Sequence, residues 1–296
     1  MVAPRGAGRV VTGPAPRWEE LRAPAKLTVS LRVTGVRADG YHLLDAEMVT
    51  VDLEDTLSVH EVGEPAESEL DVVADWGDGA DGGPPRTVGP PSDNLVTRAL
   101  AVAGRRARVR LVKRIPPGAG LGGGSADAAA VLRWAGCTDP VLAAGLGADV
   151  PFCVVGGRAR VTGVGEVVEP LAHLDRSFVL LLPPFGVDTA AVYRAWDDLA
   201  AGGHLPGTGP DGNDLEAAAL VVEPRLDGWR RALEEVTGAT ARLAGSGSTW
   251  FVEGEPEALG VAGRDWLELG GRRAPLVRTR TVRAPGGGAA VTVGTG

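Results

Sequence analysis

Two cysteines, Cys137 and Cys153, are all that the 296 residues contain. That excludes a scaffold of several disulfides and leaves too few thiolates for a cysteine-based zinc site, so both read as small buried apolar residues. Four histidines, His42, His60, His173 and His204, are scattered without HExxH or any similar ligand spacing, which argues against a structural metal. No apolar run reaches the roughly 18 to 20 residues that a membrane-crossing helix needs; the longest, Phe178 to Leu182, stops at Pro183-Pro184. A positive field is also missing. With 30 basic and 38 acidic residues the net charge is −8, which disfavours nucleic acid and acidic membranes as partners. The N-terminal stretch through Arg17 is rich in Pro, Gly and Arg and lacks the apolar segment of a secretory signal. The expectation is a soluble, cytoplasmic protein.

Scarcity extends to the polar residues. Glutamine is absent, isoleucine occurs once, asparagine twice, and lysine twice against 28 arginines. Such a skew looks like a bias acting on the whole chain, which makes its exceptions informative. Lys26 lies in Ala-Pro-Ala-Lys-Leu, Lys113 just ahead of a glycine-rich run, Asn94 in Asp-Asn-Leu-Val and Asn213 in Gly-Asn-Asp-Leu-Glu. Arginine replaces lysine well on a solvated surface and badly where a compact ammonium must fit a tight site.

What is abundant is apolar residue and glycine: 44% of the chain is hydrophobic, with 44 Gly and 22 Pro but no collagen-like period. This length buries one large core or two smaller ones, and two closely joined lobes fit best. Residues 1–17 and 284–296 read as tails. Period-two patterning predicts strands from Leu21 to Val33, Ala46 to Leu53 and Thr56 to Val62, the last two joined by a turn at Glu54-Asp55. Residues 75–93 read as a long loop, with Asp93 capping a helix to about Ala103. A strand at Arg108 to Arg114 is followed by the glycine-rich turn, an Ala-rich helix to about Ala135, a helix over 139–146 and an apolar strand from Pro151 to Val155. After a seam near 160–172 come a strand at Phe178 to Leu182, helices near 189–200, 214–221 and 225–236, strands near 240–244 and 249–253, and a last helix over 255–269.

The strongest motif is Pro116, Pro117, Gly118, Ala119, Gly120, Leu121, Gly122, Gly123, Gly124, Ser125 and Ala126, entered from a strand and leaving into a helix. Five glycines in seven positions let main-chain N–H groups approach an oxyanion, and a helix N-terminus adds unsatisfied donors and a favourable dipole. A polyphosphate suits such a cradle. It is no Walker loop, because no Gly-Lys-Ser/Thr closes it. Ser125 either caps the helix or touches a phosphate oxygen or its magnesium ion.

This loop resembles the phosphate loop of the GHMP kinases, the superfamily of galactokinase, homoserine kinase and mevalonate kinase. Six further motifs, Ala23-Pro-Ala-Lys26-Leu, Ala38-Asp-Gly-Tyr-His42, Asp93-Asn-Leu-Val96, Leu146-Gly-Ala-Asp149-Val-Pro-Phe152, Gly212-Asn-Asp-Leu-Glu216 and Gly245-Ser-Gly-Ser-Thr249, follow the order of that superfamily's 4-diphosphocytidyl-2-C-methyl-D-erythritol kinase branch. The resemblance spans about Leu21 to Arg280. It implies an α+β, two-lobed fold, with a ribosomal-protein-like ATP-binding lobe over 18–165 and a ferredoxin-like lobe over 166–283.

The resemblance further implies ATP-dependent phosphorylation of the 2-hydroxyl of a CDP-linked polyol in the non-mevalonate isoprenoid pathway, with ATP and Mg²⁺ as cofactors. It assigns Asp149 as general base and Lys26 as its neighbour, which agrees with the chemistry: a carboxylate takes the hydroxyl proton while an ammonium steadies the developing charge. Asn94 and Lys113 are nucleotide-side contacts by family position. Tyr41 and His42 offer a ring face and hydrogen-bonding nitrogens to a cytosine, and Phe185 supplies either the opposite face or plain core packing. Gly245, Ser246 and Gly247 resemble the second glycine-rich turn near substrate phosphate.

Two departures stand out. Thr28 occupies the place of the family's usual Asn, and the segments from Asn94 to Arg108 and from the glycine-rich helix to Gly147 are short. They keep two alternatives open: another GHMP kinase acting on homoserine or a mevalonate-type alcohol, and a nucleotide-binding relative without activity. A monomer or a homodimer is equally compatible with the sequence.

Overall fold

The β-rich N-terminal run becomes two of the longest strands in the molecule. In the computed structural model, which describes residues 17–75, 91–205, 209 and 212–285, β1 (Glu19–Val36) pairs antiparallel with β2 (His42–Glu61) through three register shifts. The turn expected at Glu54-Asp55 does not exist. Asp55 is fully buried, and its carboxylate accepts hydrogen bonds from the backbone N–H groups of Arg114 and Ile115 and pairs with Lys113. A buried acid with those partners stays in the sheet instead of turning out to water.

β2 is the spine of a six-stranded sheet. Its second half pairs with β4 (Ala107–Lys113), to which β3 (Glu69–Ala74) adds in parallel, and its first half pairs with β5 (Arg158–Gly163), followed by β6 (Val167–Pro170). Among the described residues this half carries the α-helices α1 (Leu95–Val102), α2 (Gly123–Trp134), α3 (Pro140–Leu146) and α4 (Val150–Val155). Asn94, not Asp93, caps α1, its side chain accepting from the Val96 N–H at 2.9 Å. The strand expected at Pro151 to Val155 is α4, with its proline in the first turn, where a missing N–H costs nothing.

The second sheet has the order β10-β11-β7-β9-β8, built from β7 (Ser177–Leu181), β8 (Arg242–Leu243), β9 (Trp250–Glu253), β10 (Trp266–Leu269) and β11 (Arg272–Arg280). Helices α5 (Thr189–Ala201), α6 (Glu216–Val222) and α7 (Arg225–Thr237) accompany it. The helix expected over 255–269 is absent. Gly260 and Gly263 interrupt that stretch, and it ends in β10, where Leu267 is buried between exposed neighbours.

The two-lobed α+β arrangement is closed by a shared core. Leu27 and Val29 of β1, Val49 and Val51 of β2, and Phe178 and Leu180 of β7 meet Ala119 and Leu121 of the glycine-rich loop. Each large apolar side chain buried there contributes roughly 1.5 to 3 kcal/mol. The expected tails and the loop over 75–93 lie outside the described residues except at their inner ends, where Ala284 and Pro285 pack on Gly156 and Gly157.

Candidate active site

The glycine-rich loop joins β4 to α2 and is pinned on both sides. The Gly118 carbonyl accepts from the Val187 and Ser248 N–H groups, the Ala119 carbonyl from Thr249 and the Leu121 carbonyl from Lys26. Gly120 has φ +77°, and a Cβ there would stand 2.1 Å from the Ala244 carbonyl oxygen; no side chain fits. Gly122, at φ +66°, is the N-cap of α2, and a Cβ would stand 2.7 Å from Lys26 Cγ. A glycine N-cap has no side chain to satisfy the first-turn N–H groups, which leaves them for an anion. Ser125 is half-buried inside that first turn and so is not the cap.

In front of the loop, β1 delivers Lys26, which is 5% exposed. Its Nζ lies 3.3 Å from Asp149 Oδ2 and donates to Thr28 Oγ1 at 3.1 Å. Thr28 thus helps hold the ammonium. Asp149 sits at the N-cap position of α4, yet its side chain makes no capping hydrogen bond. The carboxylate is about a third exposed and lines the cleft.

Behind the loop, Lys113 is buried and lies 2.7 Å from Asp127 Oδ2, with Asp55 on its other side. A Cβ at Gly123 would stand 3.0 Å from the Lys113 Nζ, so the ammonium backs directly onto the cradle. Burial alone would lower its pKa, but Asp127 and Asp55 outweigh that and raise it. Burial pushes the Asp127 carboxyl up to about 7 against the pull of Lys113, and its Oδ1 has no hydrogen-bond partner.

A cleft of about 960 Å³ runs between the lobes, lined by the loop, Lys26, Thr28, Asn94, Lys113, Ser125 and Asp149 together with Tyr41, His42, Gly245 and Ser246. Tyr41 is 62% exposed, with the Arg37 guanidinium 5.8 Å from its ring centroid. His42 packs against α5 at the cleft wall: its Nε2 lies 2.7 Å from Asp197 Oδ1, and its ring packs 4.6 Å from Tyr193 and edge-on to Trp196. Phe185 is not brought to the cleft. It is buried beneath the Arg225 guanidinium, and its carbonyl accepts from Ser248 Oγ. Ala126 and Gly247 are likewise absent from the lining.

Sequence reasoning missed Tyr193, which lines the cleft from α5. Burial and then the Asp149 carboxylate push its phenol up to about 12, so it faces the site as a neutral ring. A signal existed, because Tyr193 is the second of only two tyrosines. Asn213 has a positioning part. Its amide donates to the carbonyls of Leu243 and Gly245, fixing the second glycine-rich turn, while Ser246 Oγ and Thr189 Oγ1 are 2.8 Å apart.

Comparison with known proteins agrees with this geometry. The GHMP kinases N terminal domain matches residues 94–138, from the cap of α1 to just past α2. A 4-diphosphocytidyl-2-C-methyl-D-erythritol kinase of Paracoccus denitrificans is 40% identical over 244 residues, covering 77% of this chain and 84% of its own. One from Cereibacter sphaeroides is 38% identical over 257 residues, covering 78% and 88%. The crystal structure of a 4-(cytidine 5'-diphospho)-2C-methyl-D-erythritol kinase aligns with a TM-score of 0.63 at 33% identity, over 89% of this chain and 100% of that one. A homoserine kinase from Cytophaga hutchinsonii, at 18% identity and a TM-score of 0.51, shares the fold alone. On this identity and coverage, and with the phosphate cradle beside a lysine–aspartate pair, the chain belongs to the 4-diphosphocytidyl-2-C-methyl-D-erythritol kinase family of the GHMP kinases.

Proposed function

We propose that this chain transfers the γ-phosphoryl group of ATP to the 2-hydroxyl of 4-diphosphocytidyl-2-C-methyl-D-erythritol, a step of the non-mevalonate isoprenoid pathway, with Asp149 as general base and Lys26 beside it. The observation that carries the reading is the 3.3 Å contact between Lys26 Nζ and Asp149 Oδ2 at the mouth of the glycine cradle. In this reading residues 18–165 form the ATP-binding lobe and residues 166–283 close over the cleft.

The chain's own groups divide the work. Main-chain N–H groups around Gly122 and the first turn of α2 hold the phosphates, and the bare backbone lets them approach closely. Asp149, uncommitted to any cap, accepts the hydroxyl proton as the oxygen attacks phosphorus. Lys26 balances the carboxylate and the charge that grows on the equatorial phosphoryl oxygens. Tyr41, His42 and Tyr193 form the base-recognising face, and the turn at Gly245-Ser246 lies near the diphosphate. Among the described residues no group of three or more His, Cys, Asp or Glu stands ready to hold a metal, so a magnesium ion would take most of its oxygens from the phosphates, with the Ser125 hydroxyl as its protein ligand. Bound there, it would neutralise phosphate charge.

Purified protein given ATP, Mg²⁺ and the cytidine substrate is expected to release ADP, and a chelator is expected to stop it. Asp149→Asn should lower kcat by about 10²- to 10⁴-fold with the circular dichroism spectrum unchanged. Turnover at the wild-type rate removes Asp149 from the mechanism, and nucleotide binding without ADP release makes the chain a non-catalytic relative.

A further inference from the structure

His42 opens β2, and its ring meets three residues on one face of α5. Nε2 lies 2.7 Å from Asp197 Oδ1, the ring packs at 4.6 Å on Tyr193 with a 33° tilt, and Trp196 meets it edge-on at 5.5 Å. Residues 193, 196 and 197 are three and four apart, neighbours on a helix surface. The imidazole is therefore clamped by a ring face, a ring edge and a carboxylate. Among the described residues no hydrogen bond reaches Nδ1, and Nδ1 is not one of their buried unpartnered atoms. The side chain lines the cleft, and Nδ1 is the ring nitrogen left for a ligand.

An ionised carboxylate only accepts, so the proton in the short contact belongs to Nε2; in a neutral imidazole Nδ1 then carries the lone pair. The two pyrimidines differ at the group such a nitrogen could read. Cytosine presents a 4-amino donor where uracil presents a 4-oxo acceptor. We propose that Asp197 is a specificity-determining positioning residue: by holding the His42 proton on Nε2 it makes Nδ1 an acceptor for the 4-amino group of cytosine and sets a preference for cytidine over uridine diphosphates. This rests on the reading of Tyr41, His42 and Tyr193 as the base-recognising face. Asp197 acts through His42, and with 48% of its side chain exposed its removal leaves no buried charge behind.

The test measures CDP and UDP as competitors of the cytidine substrate for the wild type, Asp197→Ala, Asp197→Asn and His42→Ala, alongside ¹⁵N spectra of the histidine rings, of which the chain has only four. Wild type should favour CDP. In Asp197→Ala that preference should fall about tenfold, the size of one directed hydrogen bond, with KM for the cytidine substrate rising more than kcat falls. Asp197→Asn, whose amide oxygen still accepts from Nε2–H, should retain more of it. The His42 ring should report the Nε2–H tautomer in the wild type and a mixture in Asp197→Ala.

A CDP preference that survives Asp197→Ala but not His42→Ala overturns the role of Asp197 and leaves the base-recognising face standing. So does a His42 ring that is protonated on Nδ1, whether alone or on both nitrogens. Equal inhibition of the wild type by CDP and UDP, or a preference that survives His42→Ala, overturns the base-recognising face and this inference with it.

Discussion

The only two lysines in the chain approach the same glycine-rich loop from opposite sides, Lys26 against Gly122 and Lys113 against Gly123. Both are almost fully buried and both pair with aspartate, yet their partners differ in access to water. Asp149, beside Lys26, is about a third exposed, whereas Asp55 and Asp127, around Lys113, are sealed. A carboxylate at the edge of water can exchange a proton with a substrate. One sealed beneath the backbone can only hold the backbone in place, and Asp55 does so by accepting from Arg114 and Ile115 at the entry to the loop. The same pair of residue types is therefore open to chemistry in front of the loop and committed to architecture behind it.

Removing each ammonium separates the two roles. Lys113→Met leaves two buried carboxylates without their cation and should lower unfolding free energy by about 3 to 5 kcal/mol in denaturant titrations; wild-type stability would erase the distinction. Lys26→Met should do the reverse. Its partner stays solvated, so stability should change by about 1 kcal/mol or less, while kcat should fall about 10²- to 10³-fold in the ADP-release assay.

The smallest effect is one of pH. The Asp127 carboxyl is raised from 3.8 to about 7 in the folded chain, so the folded state holds that proton more tightly than the unfolded one. Its contribution is complete below about pH 4 and is lost as pH rises toward 7. Denaturation at several pH values, without nucleotide or metal, should show a decline in the wild type relative to Asp127→Asn over that window. Parallel curves would mean that Lys113 keeps Asp127 ionised throughout.

Much of the site was legible because its parts are local. The glycine run, the Ala-rich helix that follows and the rarity of lysine, asparagine and tyrosine mark the loop, Lys26, Asn94 and Asn213 without any tertiary knowledge. What failed did so where partners are distant. Glu54-Asp55 looks like a turn because two adjacent acids belong in water, and only Lys113 and its backbone neighbours, 58 to 60 residues on, keep Asp55 in the sheet. Phe185 and Tyr193 are both sparse aromatics in the second half; the burial of one under Arg225 and the exposure of the other to the cleft depend on how α5 and α7 pack.

From the sequence alone came the chemistry on offer: a main-chain cradle for phosphate, one ammonium, one carboxylate and a tyrosine–histidine pair, each written in a few adjacent residues. Which lysine meets the open aspartate, which aromatic reaches the cleft and which carboxylate orients His42 were decided only in three dimensions. Charge and hydrogen-bond partnerships depend on distances of about 3 Å between residues far apart in the chain, 155 positions for His42 and Asp197, and no local pattern encodes such distances.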